Sequence, residues 1–381
     1  MLDLLEEKFE ERLASNDPLL SWKQKSWDRL LELGWPKEAV SFKDLPFSKE
    51  PGSISFTSIH PYPLVFIDGF FDETHSRIPP GIIALPLEQA IRPYGIFLQN
   101  RLTKALKEES DPFVLLNGAF QGRAVFLYVP PKIEAKITVE LLFTKEEVAS
   151  PRLMLYLGRG ARLEIEMETR NPGISNAHFD AVLDLGAECV VKEISRKAPQ
   201  GTRFQSIRAS LKRDSRFAMH LYSEGAFLAR TSLKVQLLEE NSETLLQGLC
   251  KLGDQRQHQI YSQVEHLAPH TRSRQHFKAV LHDKSRFHFE GKIYVHPIAQ
   301  KTESYQLSNN LLLSDEAFAS CKPNLEVLAD DVKASHGATI AQLNVEDLFY
   351  LRSRGLSLEE AKQCLIEGFC SELIHCLPKR A

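Results

Sequence analysis

A short turn-like phrase recurs through the middle of this 381-residue chain, and its spacing constrains the fold more than any other feature. The phrase takes the forms LGRGARLEI, LDLGAECVV, LKRDSRFAM, LEENSETLL, LGDQRQHQI, LHDKSRFHF and LLSDEAFAS. Its turn residues are, in chain order, Gly160, Gly186, Asp214, Asn241, Asp254, Lys284 and Asp315. Most steps between them are near a common length, and the step from Asn241 to Asp254 is about half as long. A repeat of roughly 28 residues is typical of successive coils of a β-solenoid, whereas a β-sandwich turns more often. The spacing favours a solenoid, although by itself it does not exclude a sandwich.

Alternating apolar and polar residues follow these turns, as in LEIEMET (163–169), VVKEI (190–194) and KIYVH (292–296). Such alternation is typical of half-buried strands. We therefore predict a mainly β protein with three regions: a helical and mixed N-terminal region (1–131), a β core (132–340) and a C-terminal helical region (341–381).

Residues 1–35 carry two helical patterns. Asp17 can cap the second helix, Pro18 suits its first position, and Gly34 can end it. Between Trp35 and Pro131 short apolar runs are interrupted by many Pro and Gly residues, so we predict mixed structure there.

Two helices are predicted to close the chain. Asn344 can cap the first and Gly355 suits its left-handed end, while Ser357 and Glu360 form a capping box for the second. An apolar row at helical spacing runs along the second helix: Leu358, Ala361, Leu365, Phe369 and Leu373. Two interpretations stay open, because the helices could cover the last coil of the core or dock a partner.

Charge and composition exclude several classes of function. A net charge of −3 gives no overall positive potential that would attract nucleic acid. The basic clusters at 203–216 and 272–286 are interpreted as solvated strand faces. No apolar run approaches the roughly 20 residues that span a bilayer, and the acidic, amphipathic start does not resemble a signal peptide. We therefore expect a cytoplasmic protein with six reduced cysteines.

Motifs for independent catalysis or a closed metal site are not found in the sequence. It contains no P-loop, dinucleotide fingerprint or nucleophile elbow. His266 and His270 are four residues apart, but their region is predicted to be strands and turns, where that spacing has no special meaning. Cys364, Cys370 and Cys376 cannot converge from one helix, since six residues correspond to a rotation of roughly 600°. Cys370 is interpreted as a buried apolar residue.

His336 is the residue on which most of the functional inference depends. It lies in Ser-His-Gly-Ala-Thr (335–339), where the small neighbours let a ligand or partner approach the backbone. Neutral imidazole is a common ligand for iron and other transition metals. The motif stands in a dense run with Pro323, Leu325-Glu326 and Asp330-Asp331-Val332 before it, and Phe349-Tyr350-Leu351 and Ser353-Arg354-Gly355 after it. This run resembles the SufB/SufD family, scaffold subunits of the SUF iron–sulfur cluster assembly machinery. The N-terminal region resembles it too, in GWP (34–36), VFIDG (65–69) and the cluster of Asn117, Ala119-Phe120 and Gly122.

The resemblance implies a right-handed parallel β-helix core and a non-catalytic scaffold in a SufBCD complex. A SufB-like subunit would pair with the terminal coil, and the chain could form a homodimer in isolation. His336 would contribute to a nascent iron–sulfur cluster shared with SufB, with no cofactor held stably by this chain alone. A SufC-like ATPase, the only subunit to use ATP, would dock on the C-terminal helices at Phe349, Tyr350, Arg354, Leu365, Phe369 and Leu373.

Three departures from the family pattern favour its SufD branch. Ala334 stands where a Cys often precedes the His motif, and Ala341 stands where Gly is frequent. The segment LSNNLLLSD (307–315) lacks the Cys that SufB carries nearby. Iron–sulfur clusters usually take four ligands, mostly thiolates, so this end is not expected to hold a cluster alone. Cys321 is a candidate supporting residue. The alternatives are a SufB-like scaffold that acts without a partner of its own kind and a β-helix enzyme that acts on polysaccharide.

Overall fold

The computed structural model describes residues 2–13, 17–34, 46–170 and 173–374. Its helices are α1 (Leu2–Glu10), α2 (Leu20–Leu33), α3 (Leu87–Glu108), α4 (Pro112–Phe120), α5 (Val345–Ser353) and α6 (Leu358–Ile374). The strands before the regular coils are β1 (Pro63–Ile67), β2 (Phe70–Asp72), β3 (Ile83–Pro86), β4 (Val125–Val129), β5 (Glu134–Leu142), β6 (Val148–Ala149) and β7 (Arg152–Leu157). The others are β8 (Arg162–Arg170), β9 (Ile174–Leu183), β10 (Glu188–Ser195), β11 (Ala198–Leu211), β12 (Arg216–Ser223), β13 (Ala226–Leu237), β14 (Glu243–Leu252), β15 (Gln257–His266), β16 (Arg272–Leu281), β17 (Arg286–Val295), β18 (Glu303–Leu312), β19 (Phe318–Val327) and β20 (Lys333–Gln342).

The core is a parallel β-helix built from two facing sheets. Sheet I has the strand order β2-β1-β5-β8-β10-β12-β14-β16-β18-β20, and sheet II has the order β19-β17-β15-β13-β11-β9-β7-β4-β3, with β6 beside β9. From β7 onward the chain alternates between the sheets, and each strand pairs in parallel with the strand two positions later. The predicted β-helix core with helical ends is therefore confirmed.

Left-handed residues mark one edge of the solenoid at each coil. They have φ between 58° and 65° and recur once per coil: Lys132, Gly160, Gly186, Asp214, Asn241, His270 and Lys301. Asp254, with φ 56°, belongs to the opposite edge. The short step from Asn241 to Asp254 is therefore the point where the recurring phrase passes from one edge to the other. The phrase does not reach His270 and Lys301, where the turn residue is neither Gly, Asn nor Asp.

The N-terminal helices cover the outer face of sheet II through an aromatic cluster. Phe9 stacks on Trp27 with ring centroids 4.9 Å apart, and both contact Phe120 of α4. Phe113 of α4 packs on Phe204 of β11 at 4.5 Å. The cluster joins α1, α2 and α4 to the β-helix as one apolar unit.

Asn117 secures the same attachment with hydrogen bonds. Its side-chain amide donates to the carbonyls of Pro151 and Asn176 at 3.0 and 2.6 Å, and its Oδ1 accepts from Arg152 at 3.0 Å. The residue is fully buried. The family resemblance singled out Asn117, and the structure places it as a tether between α4 and sheet II.

The N-terminal region shares the sheets of the core. Strand β1 extends sheet I beside β5, and β3 and β4 extend sheet II. Helix α2 begins at Leu20 rather than at Pro18, and the Asp17 carboxylate accepts the Leu19 N–H at 2.8 Å. Gly34, with φ 82°, ends the helix as predicted, whereas Trp35 and Pro36 lie outside the described residues.

The two C-terminal helices begin where the sequence predicts, and the first also ends there. The Asn344 side chain accepts the Glu346 N–H at 2.8 Å, and Gly355 has φ 99°. Ser357 and Glu360 exchange both bonds of the capping box, at 2.8 and 3.3 Å.

Helix α6 lies along the flank of the β-helix, on the outer face of sheet I. Cys370 and Leu373 are buried there. Their partners come one each from β10, β12, β14 and β16: Ile194, Tyr222, Leu249 and Val280. The interpretation of Cys370 as a buried apolar residue is confirmed. The helix covers the side of the coils and leaves the edge of the last coil open.

The interpretation of the first basic cluster as a solvated face is wrong for two of its arginines. Arg208 is buried under α4, where its guanidinium pairs with Glu109 at 2.9 Å and Asp111 at 3.3 Å. These carboxylates raise the pKa of Arg208 despite the opposing effect of burial. Arg203 is half-buried, with Ser195 and Glu193 nearby. Strand alternation alone does not reveal the burial of Arg208, because helices packed on a sheet bury its outer face as well.

Among the described residues, no helix has both the length and the apolar character to cross a membrane.

Candidate functional site at the open end of the solenoid

The C-terminal end of the β-helix presents two unpaired strand edges. Strand β20 is the last strand of sheet I and β19 the last of sheet II, so each has a neighbour on one side only within the described chain. All ten side chains of β20 are exposed or half-buried. An unpaired edge offers a row of free N–H and C=O groups to another strand. This end of the molecule is therefore suited to association.

His336 lies on β20 and continues an interior row of the solenoid. Parallel register places it beside Gln306, which in turn lies beside Gln275. Gln306 donates to Gln275 at 3.1 Å, and both are buried. His336 is the first member of the row without a further coil over it, and it is exposed. Gly337 keeps the neighbouring space open, because a Cβ there would come within 3.1 Å of Leu307.

The opening of the solenoid interior at this end, which we call the mouth, also contains a thiol on the opposite sheet. Cys321 of β19 is half-buried, and its Sγ lies 3.0 Å from Asn310 Nδ2 and 3.4 Å from Ser308 Oγ. Asn310 Oδ1 and Gln306 Oε1 are buried and accept no hydrogen bond from the described part of the chain. The mouth therefore presents an exposed imidazole and a half-buried thiol, and two unpartnered amide oxygens lie buried on β18, the neighbouring strand of β20.

Apolar side chains surround this mouth. Six of them are between 37% and 51% exposed: Tyr305, Leu307, Phe318, Val327, Leu328 and Ile340. Large apolar side chains exposed together commonly mark an interface for another macromolecule. The open end combines such a surface with free strand edges.

The six residues predicted to dock an ATPase fall into two groups. Phe349 and Tyr350 of α5 are exposed, the former at 73%, and Arg354 lies over the Tyr350 ring at 5.2 Å. Leu365 and Phe369 are half-buried on α6. Leu373 is 2% exposed and packs against the β-helix. The exposed part of the predicted surface therefore lies on α5.

Other candidates from the sequence do not form a site. His266 is buried between Thr271 Oγ1 at 2.7 Å and Ser273 Oγ at 2.9 Å, and burial lowers its pKa to about 3. His270 lies in a turn outside the strands. Cys364 is exposed while Cys370 is buried, and Cys376 lies outside the described residues. Within the described ranges no group of three His, Cys, Asp or Glu residues could hold a metal ion.

A buried polar network inside the solenoid was not found from the sequence. His258 lies between Thr231 Oγ1 at 3.0 Å and Ser223 Oγ at 3.1 Å, with Cys250 Sγ at 3.5 Å from its Nδ1. Burial lowers the pKa of His258 to about 4 and raises that of the Cys250 thiol, so both groups are neutral near pH 7.

Glu193 shares this interior. Burial raises its pKa to about 7 against the opposing effect of Arg203. The inward positions of the alternating pattern were the available signal for these residues, but alternation does not tell which interior positions meet across the two sheets.

The fold and the open end define a parallel β-solenoid protein whose terminal coil is not covered by any other described part of the chain. Residues 141–369 match the family model described as SUF system FeS cluster assembly, SufBD core domain. This chain therefore belongs to the SufBD family of iron–sulfur cluster assembly proteins.

Several relatives match over most of the chain. An iron–sulfur cluster assembly SufBD family protein of Synechocystis is 29% identical over 84% of this chain and 75% of its own length. The iron–sulfur cluster assembly protein SufD of Escherichia coli is 28% identical over 74% of each chain. The chloroplastic protein ABCI7 of Arabidopsis thaliana is 26% identical over 100% of this chain and 87% of its own.

Proposed function

We propose that this chain is a non-catalytic scaffold subunit of a SUF complex that assembles iron–sulfur clusters, and that it pairs with a SufB-like subunit through its open end. The observation that carries the proposal is the pair of free edges on β19 and β20, surrounded by exposed apolar side chains. A partner strand added to either edge would satisfy backbone groups that otherwise bind water. The family and the relative named SufD support the same role.

His336 acts at this junction in the proposed complex. An exposed imidazole on a terminal strand can bind iron of a cluster that is forming between two subunits. Cys321 Sγ on the facing strand is hydrogen-bonded by Asn310 at 3.0 Å, which would stabilise a thiolate during ligation. Because one imidazole and one thiol do not complete a cluster, the remaining ligands come from the partner and the cluster is cargo of the complex.

A SufC-like ATPase docks on the C-terminal helices in this proposal. Phe349 and Tyr350 supply exposed aromatic surface on α5, and Arg354 lies beside them. Aromatic and Arg side chains are enriched among residues that dominate interface energetics. The buried face of α6 holds the helix pair on the flank of the β-helix, so a force applied by the ATPase would reach the coils directly.

Co-purification with SufB-like and SufC-like subunits from the same genome tests the proposal. We expect a stable complex that accumulates clusters, and His336→Ala should lower the iron and sulfide content while the complex still forms. His288→Ala is the matched control, since His288 is half-buried one coil away on sheet II. Wild-type cluster content in the His336→Ala complex would remove this residue from the mechanism.

The isolated chain distinguishes the SufB-like alternative. A self-sufficient scaffold would assemble a cluster from iron and sulfide without another subunit. We expect the isolated chain to retain none after desalting, whereas the complex retains one.

A further inference from the structure

A row of alternating charges runs along eight of the ten strands of sheet I, with one residue from each strand between β5 and β20. The members are in register from β5 to β20: Glu134, Arg162, Glu188, Arg216, Glu243, Arg272, Glu303 and Lys333. Acidic and basic side chains alternate without exception over these eight strands. We call this row the charge ladder.

Each inner cation of the charge ladder contacts a carboxylate on both sides. Arg216 lies 3.8 Å from Glu188 and 3.4 Å from Glu243. Arg272 lies 2.9 Å from Glu243 and 3.8 Å from Glu303. Exposed ion pairs add little stability individually, but like charges directly opposite on neighbouring strands are unfavourable. The ladder therefore selects which residue can lie beside each rung.

The ladder ends on a cation at the open edge. Lys333 Nζ lies 3.0 Å from Glu303 Oε1, and the Lys333 side chain is 73% exposed. Strand β20 has no neighbour on its other side among the described residues. Every inner cation of the ladder contacts two carboxylates, whereas Lys333 contacts one among the described residues, and the nearby Asp331 is paired with Lys301.

We infer that the strand which pairs with the edge of β20 carries an Asp or Glu side chain in register with Lys333, as the next rung of the charge ladder. The inference rests on the proposed function, since it specifies the chemistry of the partner surface at that junction. A carboxylate there restores the two-sided contact of the inner rungs, and a Lys or Arg there is repelled.

The two open C-terminal strands of a second copy do not supply that rung. Strand β20 reads KASHGATIAQ and contains no carboxylate, so two β20 strands leave Lys333 without an acidic partner in any register. The carboxylate of the other open strand, Glu326 of β19, is already bound by Lys292 at 2.8 Å. The charge ladder therefore favours a different chain over self-association.

Affinity for the SufB-like subunit of the same genome tests this inference. The dissociation constant of the purified full-length chains is measured for wild type, Lys333→Glu and Lys333→Met. At about 50 mM salt we expect roughly 10-fold weaker binding for Lys333→Glu and roughly 3-fold for Lys333→Met, and the differences should shrink near about 0.5 M salt as charges are screened.

The matched control is Lys284→Glu. Lys284 is 58% exposed with a single carboxylate partner, Glu316 at 3.0 Å, but it lies in a turn away from the ladder. The affinity of Lys284→Glu for the SufB-like subunit should equal that of wild type. Equal melting temperatures for all variants would exclude unfolding as the cause of weaker binding. An Asp or Glu to Lys change on the partner strand should restore binding to Lys333→Glu.

Three outcomes overturn the inference in distinguishable ways. If wild type and Lys333→Glu bind the SufB-like subunit equally at both salt concentrations, the charged rung is absent while the proposed pairing stands. If wild type does not bind that subunit at all, the proposed function fails and the inference fails with it. If wild type instead self-associates and Lys333→Glu abolishes this, a second copy is the partner.

Discussion

Lys278 Nζ donates a hydrogen bond of 2.9 Å to the carbonyl oxygen of Phe369 and so ties helix α6 to strand β16. The same ammonium pairs with Glu372 at 3.0 Å and lies 5.1 Å from the centre of the Phe369 ring. Lys278 is buried, so these contacts replace the water that its ammonium group loses. The C-terminal helix is therefore held on the flank of the solenoid by polar as well as apolar contacts.

Lys278→Met should loosen α6 without disturbing the β-helix. The change leaves the Phe369 carbonyl without its partner, which costs about 1–3 kcal/mol. Hydrogen exchange should accelerate for amides of α6 and stay unchanged in β14 and β16. Lys284→Met, on an exposed lysine, is the control. Unchanged protection of α6 would mean that the apolar contacts of Leu373 and Cys370 suffice.

Leu373 and Phe349 should give opposite results when each is changed to Ala. Leu373→Ala removes a buried side chain and should lower the free energy of unfolding by about 2–4 kcal/mol. Phe349→Ala removes an exposed side chain and should change stability by less than about 0.5 kcal/mol. We expect Phe349→Ala to weaken binding of a SufC-like ATPase by roughly 5-fold or more. Denaturation and affinity measurements on both variants separate the two roles, and unimpaired ATPase binding by Phe349→Ala would remove α5 from the docking surface.

Acid should destabilise the solenoid through its buried histidines. In the folded protein the pKa of His258 is lowered to about 4 and that of His266 to about 3. In the unfolded chain both histidines have the ordinary pKa of about 6.5, so below that pH the unfolded chain binds more protons than the folded protein. The free energy of unfolding should therefore fall as the pH decreases from about 6.5 towards 4. His258→Gln should flatten this dependence in urea denaturation at a series of pH values, with His288→Gln as the control. If the pH dependence of stability of His258→Gln equals that of wild type, His258 does not contribute to the destabilisation by acid.

Glu193 should act in the opposite direction. Its pKa is raised to about 7, so the stability it contributes is present below about pH 4.5 and is lost as the pH rises towards 7. Glu193→Gln removes this loss, and the increase of stability with pH should become steeper than in wild type. The same urea series measures it. A profile equal to that of wild type would mean that Glu193 stays ionised in the folded protein.

Arg272→Glu should destabilise the protein modestly by breaking the charge ladder. The new carboxylate would face Glu243 and Glu303, which now lie 2.9 and 3.8 Å from the guanidinium. We expect a loss of about 1–2 kcal/mol at low salt, and less than about 1 kcal/mol for Arg272→Met. The difference between the two variants should shrink as salt is added. Equal stabilities at low salt would show that the ladder is energetically silent.

Much of the fold could be predicted from the sequence, because the decisive signals are local. Left-handed turns favour Gly, Asn and Asp. The turns at one edge of the coils are therefore indicated by Gly160, Gly186, Asp214 and Asn241. Capping requires particular side chains within three residues of a helix start, which is why Asn344 and the Ser357–Glu360 box were found. Neither signal depends on distant parts of the chain.

The candidate site was predictable only in part. The motif around His336 indicated a functional residue. The exposure of His336, however, follows from its position beside Gln306 on the last strand of sheet I. Of the docking residues predicted on α6, some are half-buried and one is buried against the β-helix. The sequence cannot tell which side of an apolar helix packs on the chain's own strands. Leu373 is buried for that reason.

The sequence by itself determined the coil period, the helix caps and the motif that carries His336, because each arises from neighbours along the chain. Only the tertiary structure decided which distant residues became neighbours. Successive members of the charge ladder are separated by a full coil of the chain, and the coil pitch, not chain proximity, places Glu303 beside Lys333. Contacts between coils depend on the register of parallel strands, and register is a property of the assembled sheets.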